Sequence, residues 1–257
     1  MSVGSRKLLT PERENLILSR LDGGCCGIAE LSEALGVSEA TIRRDLDSLE
    51  SQGKLRRVHG GALRVKSAKV EPVFQEKEAY QEDEKKRVAS MALELIDDGD
   101  TIYLDGGSTV LWLAKRLGEK RNLTVVTNSL MAAAQLMESP HKLILVGGEF
   151  RALSRTMVGP LTASVINALH VDKAFLGTIG FTVEDGLSTT DPNEAYTKEL
   201  VMRRAAKVVA LVDGSKLGLR SLAVSGSVSD IDVLVTDTKP SEKIERELRR
   251  KRIEVRY

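Results

Sequence analysis

Ser38-Glu39-Ala40-Thr41-Ile42-Arg43-Arg44-Asp45-Leu46-Asp47-Ser48-Leu49 is the stretch whose reading decides how the N-terminal part of this chain folds. Ser38 is a strong helix N-cap, and Ile42, Leu46 and Leu49 recur at i, i+4 and i+7. One face of a short helix is therefore apolar, while Thr41, Arg43 and Arg44 point elsewhere. A helix that packs with one side and carries paired arginines on the other has the shape of a DNA-reading element.

The flanking residues complete the motif. Thr10-Pro11 is an N-cap followed by proline at the first helical position, and Leu16, Ile17 and Leu21 predict the inward stripe of a first helix. A second helix over residues 28–35 would bury Ile28, Leu31 and Leu35 and stop at Gly36, which tolerates the left-handed conformation of a helix end. Val37-Ser38 then restarts the chain after a helix-turn-helix connection. Beyond Gly53, residues 54–63 predict two short strands around the turn His59-Gly60-Gly61. The expectation is an N-terminal all-α winged helix-turn-helix over residues 1–65. Its candidate DNA contacts are Ser38, Glu39, Thr41, Arg43 and Arg44 on the reading helix and Arg56, Arg57 and His59 on the wing.

Charge supports this locally. The chain of 257 residues carries 38 Lys+Arg against 37 Asp+Glu, so it is no polycation. Residues 41–66 hold seven basic side chains against three acidic ones, the kind of patch that phosphate contacts and counterion release require. A solvated surface helix is the plain alternative, and it leaves the wing unexplained. With 42% hydrophobic residues the chain can bury a sizeable core and is long enough for two domains. Its two cysteines, Cys25 and Cys26, are adjacent, and its three histidines are scattered. No structural disulfide, metal site or cofactor is expected, and a reducing, cytoplasmic setting is. No apolar run is long enough to span a bilayer.

Residues 66–87 are densely charged and read as a linker running into a helix. From residue 88 to 257 apolar, β-rich runs (101–104, 123–127, 143–146, 173–176, 208–212 and 232–236) alternate with helical patterns (108–118, 129–138, 160–169, 192–206 and 241–250). Such alternation predicts an α/β domain with a mainly parallel sheet. Small and polar residues follow each run, and ligands of open α/β sheets bind at the carboxyl ends of the strands.

The candidate ligand contacts are accordingly Asp105, Gly106, Gly107, Ser108, Thr109, Asn128, Gly147, Gly148, Glu194, Lys198, Asp213 and Lys216. Gly106-Gly107-Ser108-Thr109, between strand and helix, suits a phosphate through exposed backbone N–H groups and hydroxyls. It lacks the spacing of the nucleotide and dinucleotide motifs. Lys198 and Lys216 offer cationic contacts, Asp105 and Asn128 partners for sugar hydroxyls. Several of these have local explanations. Ser108 can cap its helix, Asp191-Pro192-Asn193-Glu194 is a capping box, Lys198 is spaced to pair with Glu194, and Asp213 can form a turn. Trp112 reads as core.

Residues 37–46, Arg57-Val58-His59-Gly60-Gly61-Ala62, Asp105-Gly106-Gly107-Ser108-Thr109, Thr127-Asn128-Ser129, Gly147-Gly148 and Asp213-Gly214-Ser215-Lys216 together resemble the DeoR family of bacterial transcriptional regulators over nearly the whole chain. The resemblance implies a C-terminal domain similar in fold to ribose-5-phosphate isomerase. It further implies a non-enzymatic repressor of sugar or polyol catabolic genes that binds a double-stranded operator. A phosphorylated sugar would release it, and it would act as a homo-oligomer, dimer or tetramer. The competing reading is a sugar-phosphate isomerase-like enzyme carrying a DNA-binding domain, because Asp105, Glu194, Asp213 and Lys216 are acid–base residues.

Overall fold

A computed structural model describes residues 9–21, 26–52, 54–58, 60–64 and 71–257, with backbone only at Arg56, Leu63 and Arg64. Contacts divide the chain into two units, residues 1–67 and 68–257.

In the first unit, helices α1 (Thr10–Leu21), α2 (Ile28–Leu35) and α3 (Glu39–Ser51) pack with strands β1 (Cys26–Gly27), β2 (Leu55–Val58) and β3 (Gly61–Arg64). The strands form an antiparallel sheet in the order β1-β3-β2, so the expected wing is joined by a third strand lying before α2. Ser38 caps α3 by accepting a hydrogen bond from the Thr41 N–H, and Gly36 ends α2 at φ 63°. Ile42, Leu46 and Leu49 are buried as expected, together with Ile17, Leu21, Leu31 and Leu55. Two expectations fail here. Leu16 is 42% exposed, because α1 turns Arg13, Ile17, Leu18 and Leu21 inward instead. Leu35, in the last turn of α2, is only half-buried.

The reason for an inward arginine is Asp45. Its carboxylate receives Arg13 Nε at 2.5 Å and Nη2 at 2.7 Å, a bidentate pair that ties α1 to α3.

In the second unit the charged stretch expected as a linker is folded from residue 71 onward, while residues 66–70 lie outside the described residues. It holds α4 (Phe74–Ala79) and the start of α5 (Glu82–Leu93). Phe74 is 1% exposed, and Lys85 donates to the carbonyls of Lys77 and Tyr80, satisfying the end of α4.

The remaining chain runs β4 (Thr101–Leu104), α6 (Ser108–Ala114), β5 (Thr124–Thr127), α7 (Leu130–Leu136) and β6 (Lys142–Leu145). The hairpin β7 (Glu149–Arg151) and β8 (Thr156–Val158) and helix α8 (Ala163–Asn167) come next. They are followed by β9 (Val171–Gly177), β10 (Gly180–Thr182), β11 (Gly186–Thr189), α9 (Pro192–Met202), β12 (Ala205–Leu211), β13 (Ala223–Gly226), β14 (Val233–Val235), α10 (Glu242–Arg250) and β15 (Glu254–Arg256). Seven strands form one parallel sheet in the order β15-β14-β12-β9-β4-β5-β6. Six of them are the expected ones.

Side chains alternate across this sheet. Ile102 and Leu104 enter a core with Val88, Ala92, Val110 and Leu113 on one face, and Tyr103 joins Ile166, Val201 and Leu248 on the other. Trp112 packs half-buried against the first core. Its ring lies 3.9 Å from Lys115 Nζ and 4.8 Å from Lys86 Nζ.

Strand order fixes where a ligand can sit. From β4 the chain builds outward to β5 and β6, then returns to place β9 on β4's other side. The crevice beyond the carboxyl ends of β4 and β9 is therefore the topological switch point of the sheet.

Candidate functional site

Asp105 follows β4 at that crevice, and its N–H donates to the Phe175 carbonyl of β9. Its carboxylate receives the Gly177 N–H at 3.0 Å and the ammonium of Lys198 on α9. Lys198 also donates to the Gly177 carbonyl at 3.1 Å and lies 3.5 Å from Glu194. Burial pulls the Lys198 ammonium down, but Asp105 and Glu194 outweigh it and the net shift is upward. Burial raises Glu194, with Lys198 opposing. Sequence spacing paired Lys198 with Glu194 and offered Asp105 separately, and the fold places all three in one buried ionic cluster.

Several side-chain oxygens are buried without a partner among the described residues, and two of them lie on the segments that follow β4 and β5. These two are Thr109 Oγ1, in the first turn of α6, and Asn128 Oδ1, just after β5. Asn128 Nδ2 donates to the Met157 carbonyl, which fixes the amide and leaves its oxygen free. Orphaned buried oxygens ask for a donor, and a polyol supplies hydroxyls. Gly107, at φ 131°, holds a backbone that side chains avoid, and a Cβ on Gly106 would overlap Thr156 Cγ2. Gly148 likewise packs against Thr162, so two of the candidate glycines serve close packing. The cap of α6 is Gly107, so Ser108 does not cap it.

Asp213 receives the Ser215 N–H at 3.2 Å and faces Lys216 Nζ at 3.2 Å beyond β12. Burial would raise its carboxyl, and Lys216, Ser215 and Lys85 hold it low instead. Asp191 caps α9 by accepting the Glu194 N–H at 2.9 Å, as its sequence predicts, but the Glu194 side chain turns to Lys198 and Arg151.

Arg151 and Glu71 were not visible as site residues. Arg151, on β7, contacts Glu71 at 2.7 Å and Asp191 and Glu194 at 3.3 Å each. Glu71 also receives Lys77 Nζ and Thr190 Oγ1, both at 2.5 Å. Partners this far apart in sequence leave no local signal. Burial opposes ionisation of Glu71, yet Lys77, Arg151 and Thr190 bring its pKa down to about 2. A carboxylate depressed on folding stabilises above its unfolded pKa. That contribution, about 3 kcal/mol, is lost as pH falls from about 4.5 to about 2. Glu71→Gln is expected to flatten this part of the stability–pH curve, measured by urea melts from pH 5 to pH 2.

In the first unit the outward face of α3 carries Glu39, Ala40, Arg43, Arg44 and Asp47. Arg43 pairs with Glu39 at 2.7 Å, and Arg57 pairs with Asp47 at 2.5 Å. Arg44 is exposed and has no ion-pair partner among the described residues. Ser38 and Thr41 share a hydrogen bond of 2.9 Å at the helix start. His59 and the side chain of Arg56 lie outside the described residues. No three His, Cys, Asp or Glu side chains cluster as a metal site among the described residues, and no helix there is long and apolar enough to cross a membrane.

Comparison with known proteins follows this division. A model of the DeoR-like helix-turn-helix domain matches residues 13–68, and one of the DeoR C terminal sensor domain matches residues 80–238. The HTH-type transcriptional regulator GlpR of Haloferax volcanii is 37% identical over 90% of this chain and 91% of its own. The glycerol-3-phosphate regulon repressor of Escherichia coli is 35% identical over 84% of this chain and 86% of its own. Ribose 5-phosphate isomerase A of Methanocaldococcus jannaschii aligns at 26% identity over 53% of this chain and 54% of its own, with a TM-score of 0.38. With both family models matched in order and relatives similar over nearly their full length, the chain belongs to the DeoR family of transcriptional regulators.

Proposed function

We propose that this protein represses a sugar or polyol catabolic operon and leaves its operator when a phosphorylated sugar binds at the carboxyl edge of the parallel sheet. The observation that carries the effector half is the crevice at the β4–β9 switch point. Acidic groups (Asp105, Glu194), a cation (Lys198) and the orphaned oxygens of Thr109 and Asn128 stand at that edge of the sheet. This mixture matches a ligand with several hydroxyls and one anionic end. The glycine turn at Gly106-Gly107 with Ser108 and Thr109 is the proposed phosphate cradle. Asn128, Gly147, Gly148, Asp213 and Lys216 line the proposed pocket. Similarity to a repressor named for glycerol 3-phosphate supports the ligand class.

In the DNA-binding half, α3 enters the major groove with Thr41, Arg43 and Arg44 toward base edges or phosphates. Ser38 and Glu39 lie at its leading end, and Arg56, Arg57 and His59 face the backbone or minor groove. A palindromic operator with half-sites one or more turns apart calls for at least a dimer.

The decisive test titrates glycerol 3-phosphate, pentose 5-phosphates, hexose 6-phosphates and their unphosphorylated parents into the protein bound to DNA upstream of its own gene, at fixed salt. Release by one phosphorylated member is the expected result. Binding unaffected by every member would remove the effector assignment. Arg44→Ala, which strips from α3 a guanidinium with no ion-pair partner among the described residues, is expected to weaken operator binding by about 1–3 kcal/mol. Fluorescence anisotropy on labelled operator measures this, and wild-type affinity at equal salt would refute the placement of α3.

A further inference from the structure

The effector site is wired to the segment through which the chain leaves for the DNA-binding unit. Glu71 is the first described residue after that connection, and its side chain is 1% exposed. Of its three partners, Lys77 lies on its own segment, whereas Arg151 and Thr190 belong to the body of the sheet domain. Arg151 continues to Asp191 and Glu194, Glu194 to Lys198, and Lys198 to Asp105. An unbroken run of charged contacts thus joins residue 71 to the β4–β9 crevice.

This run already carries a net negative charge. Four carboxylates (Glu71, Asp191, Glu194, Asp105) face three cations (Lys77, Arg151, Lys198). Lys198 donates to Asp105 and to the Gly177 carbonyl and lies 3.5 Å from Glu194. A phosphate dianion entering here must displace a carboxylate, because it adds charge of the same sign and needs donors that are occupied. Asp105 is pinned between β4 and β9 by its own N–H and by Gly177, while Asp191 and Glu194 sit at the capped start of α9. Glu71 alone among the four lies on the segment that precedes α4, next to the connection.

We propose that Glu71 is an internal competitor for Arg151. The effector's phosphate, seated at the Gly106-Gly107 turn against Thr156, the strand partner of Arg151, also takes the planar fork of the guanidinium; Glu71 leaves, and residues 71–73 change the direction in which they enter the connection. Phe74 stays buried and anchors α4, so the change is confined to the residues before it. This mechanism rests on the effector site proposed above and makes Arg151, Glu71 and Thr190 its coupling residues.

Linkage sets the signs. If the ligand must displace Glu71, removing the competitor tightens the ligand and, by reciprocity, puts the ligand-free protein in the released arrangement. In the full-length protein, Glu71→Gln is therefore expected to bind the releasing sugar phosphate about fivefold or more tightly by calorimetry. It should hold operator DNA more weakly without ligand, and ligand should weaken DNA further by less than about twofold. Thr190→Val, which removes one donor to Glu71 and no charge, is expected to shift all three quantities the same way by less.

A variant that merely damages the fold would weaken ligand and DNA together, so tighter ligand binding is the discriminating result. Unchanged coupling in both variants, or weaker ligand binding in both, overturns the competitor. Wild-type protein that holds its operator against every sugar phosphate in the panel removes instead the effector reading on which it stands.

Discussion

Asp105→Ala is expected to destabilise the sheet domain by about 3–5 kcal/mol, the usual cost of stranding one member of a buried ion pair. Asp105 and Lys198 are each 2% exposed, and the same carboxylate also receives the Gly177 N–H. Alanine would leave the Gly177 N–H without its acceptor and the buried ammonium with only the Gly177 carbonyl and the more distant Glu194 carboxylate. In the wild type, the Lys198 ammonium is held above its ordinary pKa, so its contribution is present below that value and is lost as pH rises through the folded one. Without Asp105, burial is opposed by Glu194 alone, so the stability lost at alkaline pH should be smaller in the variant than in the wild type. The double variant Asp105→Asn with Lys198→Met keeps an acceptor for Gly177 and removes the charge, and should recover most of the loss. Urea melts of the three proteins across alkaline pH decide it. A single variant within about 1 kcal/mol of wild type would show that the pair is not the support of the crevice.

Asp45→Ala should be as severe for its own unit. The Arg13–Asp45 fork joins α1 to α3 with both side chains largely buried, 11% and 6% exposed. Breaking it costs about 3–5 kcal/mol by the same reasoning, against the small reserve of a domain of this size. Operator binding should therefore collapse although Arg43 and Arg44 are untouched, with loss of helical signal from the first unit. Arg13→Met with Asp45→Leu replaces charge by apolar volume and should restore both. Full operator affinity in Asp45→Ala would mean the reading helix is held by its apolar face alone.

Both pairs mark where sequence reading ends. α3 was legible because cap, period and turn agree locally at Ser38, Ile42, Leu46 and Gly36. The parallel strands were legible because apolar runs end at turn residues, which also placed Asp105, Asn128 and Asp213 at one edge. Arg13 pairs with a residue 32 positions away and Lys198 with one 93 away, and no pattern within either helix announces such a partner. The stretch after residue 65 was read as a linker because it is dense in charge. Glu71, Lys77 and Lys85 instead spend their charges on buried partners, which composition does not reveal. The strands at 149–158, 180–189 and 223–226 were missed because they mix small, polar and charged residues, such as Glu149-Phe150-Arg151 and Gly186-Leu187-Ser188-Thr189, and form no apolar run. β15 was missed among the charged residues of the C-terminus.

Trp112 is the sole tryptophan, and its indole lies close to two ammonium groups, 3.9 Å from one and 4.8 Å from the other, on the helix after the glycine loop. An indole excited state has a larger dipole than its ground state, so its emission colour follows the local electric field. One ammonium belongs to α5 and the other to Lys115, the C-cap of α6, and a small shift of either helix changes that field. The protein therefore carries its own optical gauge of events at the glycine loop, readable without a dye and free of interference from any second tryptophan.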